Sequence, residues 1–169
     1  DKNMARKLDP YAQYALSAAC EAMGQSGLNA GENIAPERLG VYVGSGIGGV
    51  QTLLAENEKA QTKGYDRVSP HLVPMMIANM AAGNIAIRFQ AQGPCLPVVT
   101  ACATSTNAIG EAYRAIRFGY ADAIVAGGAE APICPLAVGG FTTCMALSTV
   151  DDPLGCSLPF DKRRSGFVM

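Results

Sequence analysis

Histidine occurs once in this 169-residue chain, at His71. That imidazole lies between Pro70 and Pro74 in an apolar stretch. Histidine-rich metal sites are therefore excluded for want of ligands, and a Ser/His/Asp triad would have a poorly placed base. Charge is scarce as well: charged residues make up 16% of the chain and sum to −1, which leaves no electrostatic footprint for nucleic acid. No two cysteines form a C-x-x-C pair, so a zinc ribbon or a thioredoxin-like site is disfavoured. The start, from Asp1 through Arg6 and Lys7, leads into an amphipathic stretch and not into the apolar h-region of a signal peptide. Repeats, low-complexity tracts and linkers are missing too, and the length suits one domain.

Apolar residues fill what charge leaves free. Residues 69–87, 89–110 and 131–150 are three segments without formal charge, long enough by themselves to allow a membrane span. Each is interrupted by Pro, Gly, Asn or Thr, so they read as segments of a soluble, cytoplasmic protein buried on more than one side. Six cysteines (20, 95, 102, 134, 144 and 156) then read as reduced thiols, most of them small core residues.

Periodicity gives the expected elements. Asp9-Pro10 reads as N-cap and first residue of a helix that ends between Gly24 and Gly27. A strand at 39–43 runs into the turn Gly44-Ser45-Gly46-Ile47-Gly48-Gly49, and a helix follows over 50–62. Residues 64–74 read as a loop, 75–89 and 103–118 as buried helices, and 96–100 and 123–126 as strands. The pattern weakens beyond Pro135. Strands alternating with helices predict an α/β fold, a mostly parallel sheet with helices on both faces.

Three features carry candidate chemistry. Cys102 follows an expected strand and opens an expected helix. A helix N-terminus favours thiolate, and its free amides can hold the oxyanion of a thioester under attack. Small neighbours leave room for an acyl chain. The pattern alone leaves open the commoner fate, an inert buried cysteine. The turn at 44–49 satisfies G-x-G-x-x-G, with Asp66 at a plausible distance for a dinucleotide site. Asp66 lies in an expected loop and not at a strand end, so a tight turn is the preferred reading. His71 reads as a loop or interface residue in preference to a catalytic base.

The run Thr100-Ala101-Cys102-Ala103-Thr104-Ser105 resembles the active-site motif of the β-ketoacyl-[acyl-carrier-protein] synthase II family, condensing enzymes of fatty acid synthesis. Further runs match that family in order: Arg6-Lys7-Leu8-Asp9, the turn at 44–49, the stretch from Ser69 to Met80, Ala126-Gly127-Gly128-Ala129-Glu130, Gly139-Gly140-Phe141, Ala146-Leu147-Ser148-Thr149 and Pro159-Phe160-Asp161-Lys162. The resemblance implies a thiolase-like fold of two similar halves. Residues 1–169 would be the N-terminal half, lacking the opening strand and the second half.

It implies further that Cys102 takes an acyl group from acyl carrier protein as a thioester, and that malonyl carrier protein decarboxylates and attacks it. No metal or cofactor is implied. The histidines and lysine that assist would lie in the second half, so the chain by itself would not condense. Ile47 and Phe141 match positions lining the acyl pocket. Arg6 and Lys7 match a basic patch that docks the acidic carrier. A homodimer would form through the Ser69 to Met80 stretch and the region around Cys102. Departures fall at Met145, where a basic carrier contact is common, at Leu158 and Ser165, which replace Arg and Asp, and at Asn107, often His. A polyketide-type condensing enzyme and a non-catalytic scaffold or dimerisation half stay open beside this reading.

Overall fold

The computed structural model describes residues 2–169, which divide into two compact units between Ala131 and Pro132. The first carries the sheet. A short helix α1 (Lys2–Ala5) precedes α2 (Pro10–Ser26). Strand β1 (Leu39–Gly44) leads through the glycine turn into α3 (Val50–Lys63). Two further helices, α4 (Leu72–Met76) and α5 (Met80–Phe89), come before α6 (Thr104–Arg117), and β2 (Ala123–Gly128) closes the layer.

The two strands pair in parallel, Leu39 with Ala123 through Gly44 with Gly128. Alternation along them sends Val41, Val43 and Val125 to one face and Tyr42, Ile124 and Ala126 to the other. On the first face lie α2 and α5, with Tyr11, Ala15, Ala81 and Ile85 buried against the valines. On the second lies α6, through Ala108, Ala112 and Ala115. The expected α/β architecture, parallel with helices on both faces, is what forms.

Helix α2 starts as its sequence dictates. The Asp9 carboxylate is fully buried and accepts from the Tyr11 amide at 3.2 Å, Pro10 occupies the first turn, and Gly27 ends the helix at φ 68°. The other Asp9 oxygen accepts from the Thr52 amide at 2.9 Å, in the first turn of α3. The preceding residue there, Gly49, has no side chain to do this, so one carboxylate caps two helices.

Three expectations fail for identifiable reasons. The helix expected over 75–89 breaks into α4 and α5, because Ile77 is extended (ψ 137°) and its carbonyl accepts from the buried Tyr11 hydroxyl at 2.6 Å. Residues 96–100 form no strand. The chain runs beside β1 with only an isolated bridge at Val41 and Cys95, and Pro94 and Pro97 have no N–H to extend a ladder. Finally, the weakly charged segments are not buried throughout: Val73, Ile87, Leu96, Val99 and Ile109 are all exposed. On α5 and α6 only one stripe reaches the sheet, and a helix apolar all round leaves its other stripe bare. The cysteines follow suit. All six are free and none is buried.

The second unit contains α7 (Pro135–Thr143), in the region where the sequence pattern was weakest. Phe141 on that helix packs edge-on against Phe167, ring centroids 5.1 Å apart. A bridge between Leu147 and Phe167 and a 2.7 Å contact between the Ser148 and Ser165 hydroxyls tie its ends together. Ser165 thus uses its small hydroxyl where the resemblance expected an aspartate.

Candidate active site

Cys102 lies in a single 3₁₀ turn, Ala101–Ala103, that runs directly into α6. Its thiol is exposed and free. The residue before it, Ala101, has φ 51°, a left-handed conformation that costs a non-glycine residue about 1–2 kcal/mol. Surrounding bonds hold it there. The Thr104 hydroxyl, buried in the first turn of α6, accepts from the Thr100 amide at 2.9 Å. Asn107, one turn further on, donates to the Thr100 hydroxyl at 2.8 Å. The Ala103 amide reaches back to the Thr100 carbonyl at 3.1 Å. Asn107, a departure from the family pattern, is thus part of the clamp on the Cys102 loop.

This turn stands at the carboxyl ends of both strands, where parallel α/β sheets place their sites. Gly44, the last residue of β1, shows how tightly: a Cβ there would overlap the Val98 carbonyl oxygen and stand 2.6 Å from the Thr104 methyl. The glycine turn lies on the same side. A Cβ on Gly46 would be 3.8 Å from the Ala101 Cα, so the turn carrying Ile47 runs beside the residue preceding Cys102. Gly48 makes the reversal with φ 77°.

The turn also discriminates between its two sequence readings. Its amides already hold an anion from within the chain. Glu130 Oε2 accepts from the Gly46 amide at 2.7 Å and from Ile47 at 3.2 Å, and Oε1 accepts from the Ser45 hydroxyl at 2.9 Å. Asp66 lies in an exposed 3₁₀ turn beside Arg67 and not at a strand end. The geometry is a tight turn closed on a carboxylate, as preferred, and not a phosphate cradle.

The other candidates are more scattered. Ile47 is half exposed on this turn. Arg6 and Lys7 are exposed in the bend between α1 and α2, with no ion pair among the described residues. Phe141 belongs to the second unit. His71 is exposed, precedes α4, and its imidazole makes no hydrogen bond among the described residues. Among those residues, no three His, Cys, Asp or Glu side chains cluster to hold a metal, and no helix is long and apolar enough to cross a membrane.

In the sequence Glu130 stands at the end of the run Ala126-Gly127-Gly128-Ala129-Glu130, with nothing in that run to mark it as the anchor of the 44–49 turn. A signal was available: it is the one charge between Asp122 and Asp151. The strain at Ala101 has no comparable signature, because alanine carries no mark of a left-handed conformation.

A thiol on a strained turn, opening a helix at the carboxyl ends of parallel strands, is the arrangement that the resemblance to the thiolase-like class implies. Comparison with known proteins gives the family. The profile of the β-ketoacyl synthase N-terminal domain matches residues 1–169. Over its whole length the chain is 48% identical to 3-oxoacyl-[acyl-carrier-protein] synthase 2 of Staphylococcus aureus and 46% identical to the protein of that name from a Synechocystis strain. It spans about 42% and 41% of those two proteins. A β-ketoacyl synthase from Burkholderia phymatum superposes with a TM-score of 0.83 at 31% identity, over 98% of this chain and 41% of that one. A ketosynthase of a type II polyketide system, solved with its acyl carrier protein, shares the fold (TM-score 0.79, 24% identity, 89% of this chain and 44% of that one). The chain belongs to the β-ketoacyl synthase family and corresponds to its N-terminal domain.

Proposed function

We propose that Cys102 is the acyl acceptor of a 3-oxoacyl-[acyl-carrier-protein] synthase. The observation that carries this reading is an exposed thiol on the turn that opens α6, within a chain matching the family domain from end to end. The thiolate sulfur attacks the carbonyl of the acyl thioester on the carrier protein. A new C–S bond forms, the old one breaks, and the carrier's thiol departs with the proton. In this scheme backbone amides of the Cys102 turn stabilise the oxyanion. Malonyl carrier protein then loses carbon dioxide, its carbanion attacks the Cys102 thioester, and the sulfur leaves as thiolate.

In this scheme Ile47 and Phe141 line the acyl pocket. Arg6 and Lys7 meet the acidic carrier through a salt-sensitive contact. The enzyme is a cytoplasmic homodimer that pairs through residues 69–80 and the Cys102 region. Exposed apolar groups in both places, Val73 and Ile77 in one and Val99 and Ile109 in the other, support that pairing. The 169-residue polypeptide alone accepts an acyl group without condensing it, since His71, its one imidazole, has no link to Cys102.

Incubation with an acyl thioester followed by peptide mapping tests the central claim. One acyl adduct on Cys102, lost in Cys102→Ala, is the expected result. Label spread over the other five cysteines, or none on Cys102, overturns it.

A further inference from the structure

We propose that Glu130 is a positioning residue for the acyl pocket: its carboxylate fixes where Ile47 stands beside the Cys102 turn, and thereby which acyl chains reach the thiol. This rests on the reading of Cys102 as acyl acceptor and of Ile47 as a pocket residue.

The turn at 44–49 contains four glycines in six positions, so its backbone has little intrinsic preference for one conformation. Ile47 is 49% exposed and is not part of either buried core cluster. Its place is therefore set by backbone tethers. One lies past it, where the Gly49 amide donates to the Met76 carbonyl at 2.9 Å. The tether at Ile47 itself is Glu130, which takes the Ile47 amide, the Gly46 amide and the Ser45 hydroxyl together. Ser45, 1% exposed, also accepts from the Gly48 amide at 2.9 Å, so the carboxylate and the hydroxyl together engage residues 45–48.

Two further facts separate this from general surface polarity. Glu130 has no cationic partner among the described residues, and its hydrogen bonds there go to the turn; bonds to a charged acceptor are the stronger kind. It also follows closely on β2, whose end packs against α6: a Cβ on Gly128 would stand 3.2 Å from that of Ser105. Glu130 therefore links the Ile47 turn to the strand that supports the Cys102 helix. Moving one relative to the other changes the space above the thiol.

The test compares rates of Cys102 acylation by acetyl, octanoyl and palmitoyl thioesters of N-acetylcysteamine, in the wild type and in Glu130→Ala, Glu130→Gln, Ser45→Ala and Ile47→Ala. The readout is the ratio of rates between chain lengths, which general loss of structure lowers together and leaves unchanged. Glu130→Ala is expected to shift the ratio about three- to tenfold toward that of Ile47→Ala. Glu130→Gln, which keeps an acceptor oxygen, should recover much of the shift, and Ser45→Ala should move it the same way by less. A wild-type ratio in Glu130→Ala, with Ile47→Ala shifted, overturns the role of Glu130 and leaves the acyl-acceptor reading standing. An unshifted Ile47→Ala removes the pocket role of Ile47 and this proposal with it. No acylation of wild-type Cys102 overturns the functional reading itself.

Discussion

The two faces of the β1–β2 pair are covered by helices of different character. On one, α2 and α5 press Tyr11, Leu16 and Ile85 against Val41 and Val43, with large side chains turned inward. On the other, α6 turns Thr104, Ala108, Ala112 and Ala115 inward and leaves Ile109, Tyr113 and Ile116 in solvent. Both sets on α6 recur at helical spacing, so α6 carries two apolar stripes and buries the one with the smaller side chains. Alanines let the helix lie close to the sheet, which brings its N-terminus and Cys102 up to the strand ends. The larger stripe finds no cover among the described residues. Tyr14 on α2 and Ile87 on α5 are exposed as well, so the two faces differ in the size of what they bury: large side chains on the first, small ones on the second.

The largest expected effect lies on the face that buries the large side chains. Ile85 is fully buried there, and Ile85→Ala should cost about 2–5 kcal/mol through lost burial and the cavity left behind. The urea midpoint measures it. A loss below about 1 kcal/mol would mean that this face collapses easily around a void, and the contrast with α6 would fail.

Asp9 comes next, because α2 and α3 share its carboxylate. Asp9→Ala removes the bonds to the Tyr11 and Thr52 amides and should cost about 2–3 kcal/mol. Asp9→Asn keeps one acceptor oxygen and should recover part of it. Hydrogen exchange at Thr52 should rise in the alanine variant as well as exchange at the start of α2. If only α2 responds, the second cap carries no weight.

Asp9 and α6 also show what the sequence could reveal. The cap at Asp9-Pro10 was readable because capping is local chemistry between neighbours in the chain, but its second bond spans 43 residues and left no trace in the pattern. The two strands were readable one by one for the same local reason, and the place of Cys102 at a helix start was readable with the help of the ordered family runs, although the strand expected before it does not form. The break at Ile77 was not, since it depends on a hydroxyl 66 residues away. Residues 96–100 misled because apolar character outweighed Pro94 just before the segment and Pro97 within it. Hydrophobicity on α6 gave the helix correctly and its burial wrongly, since a sequence does not say which of two apolar stripes the same chain covers.

Tyr11 supplies a smaller effect with a definite sign. Burial, chiefly, pushes its phenol up from 10.0 to about 12. The folded protein therefore keeps a proton that the unfolded chain releases above pH 10. The stabilisation linked to that proton is complete below pH 10 and is lost as pH rises from 10 toward 12. Stability measured across that window should fall in the wild type and fall less steeply in Tyr11→Phe. The variant also loses the bond to the Ile77 carbonyl, so it starts lower and the two curves converge. Parallel curves would show that another group carries the alkaline loss.

The smallest effect on folding is expected at Ile109, which makes it the sharpest probe of the difference between the faces. Its side chain is 55% exposed on the outer stripe of α6, so Ile109→Ala should change the stability of a dilute monomer by no more than about 0.5 kcal/mol. If that stripe pairs with a second copy, the cost should grow with protein concentration, because association stabilises the folded state by mass action. Ile109→Asp should then shift the sedimentation profile toward monomer while leaving the dilute unfolding midpoint close to wild type. A concentration-independent loss comparable to that of Ile85→Ala would mean that the outer stripe is packed within one chain, and the two faces would be alike after all.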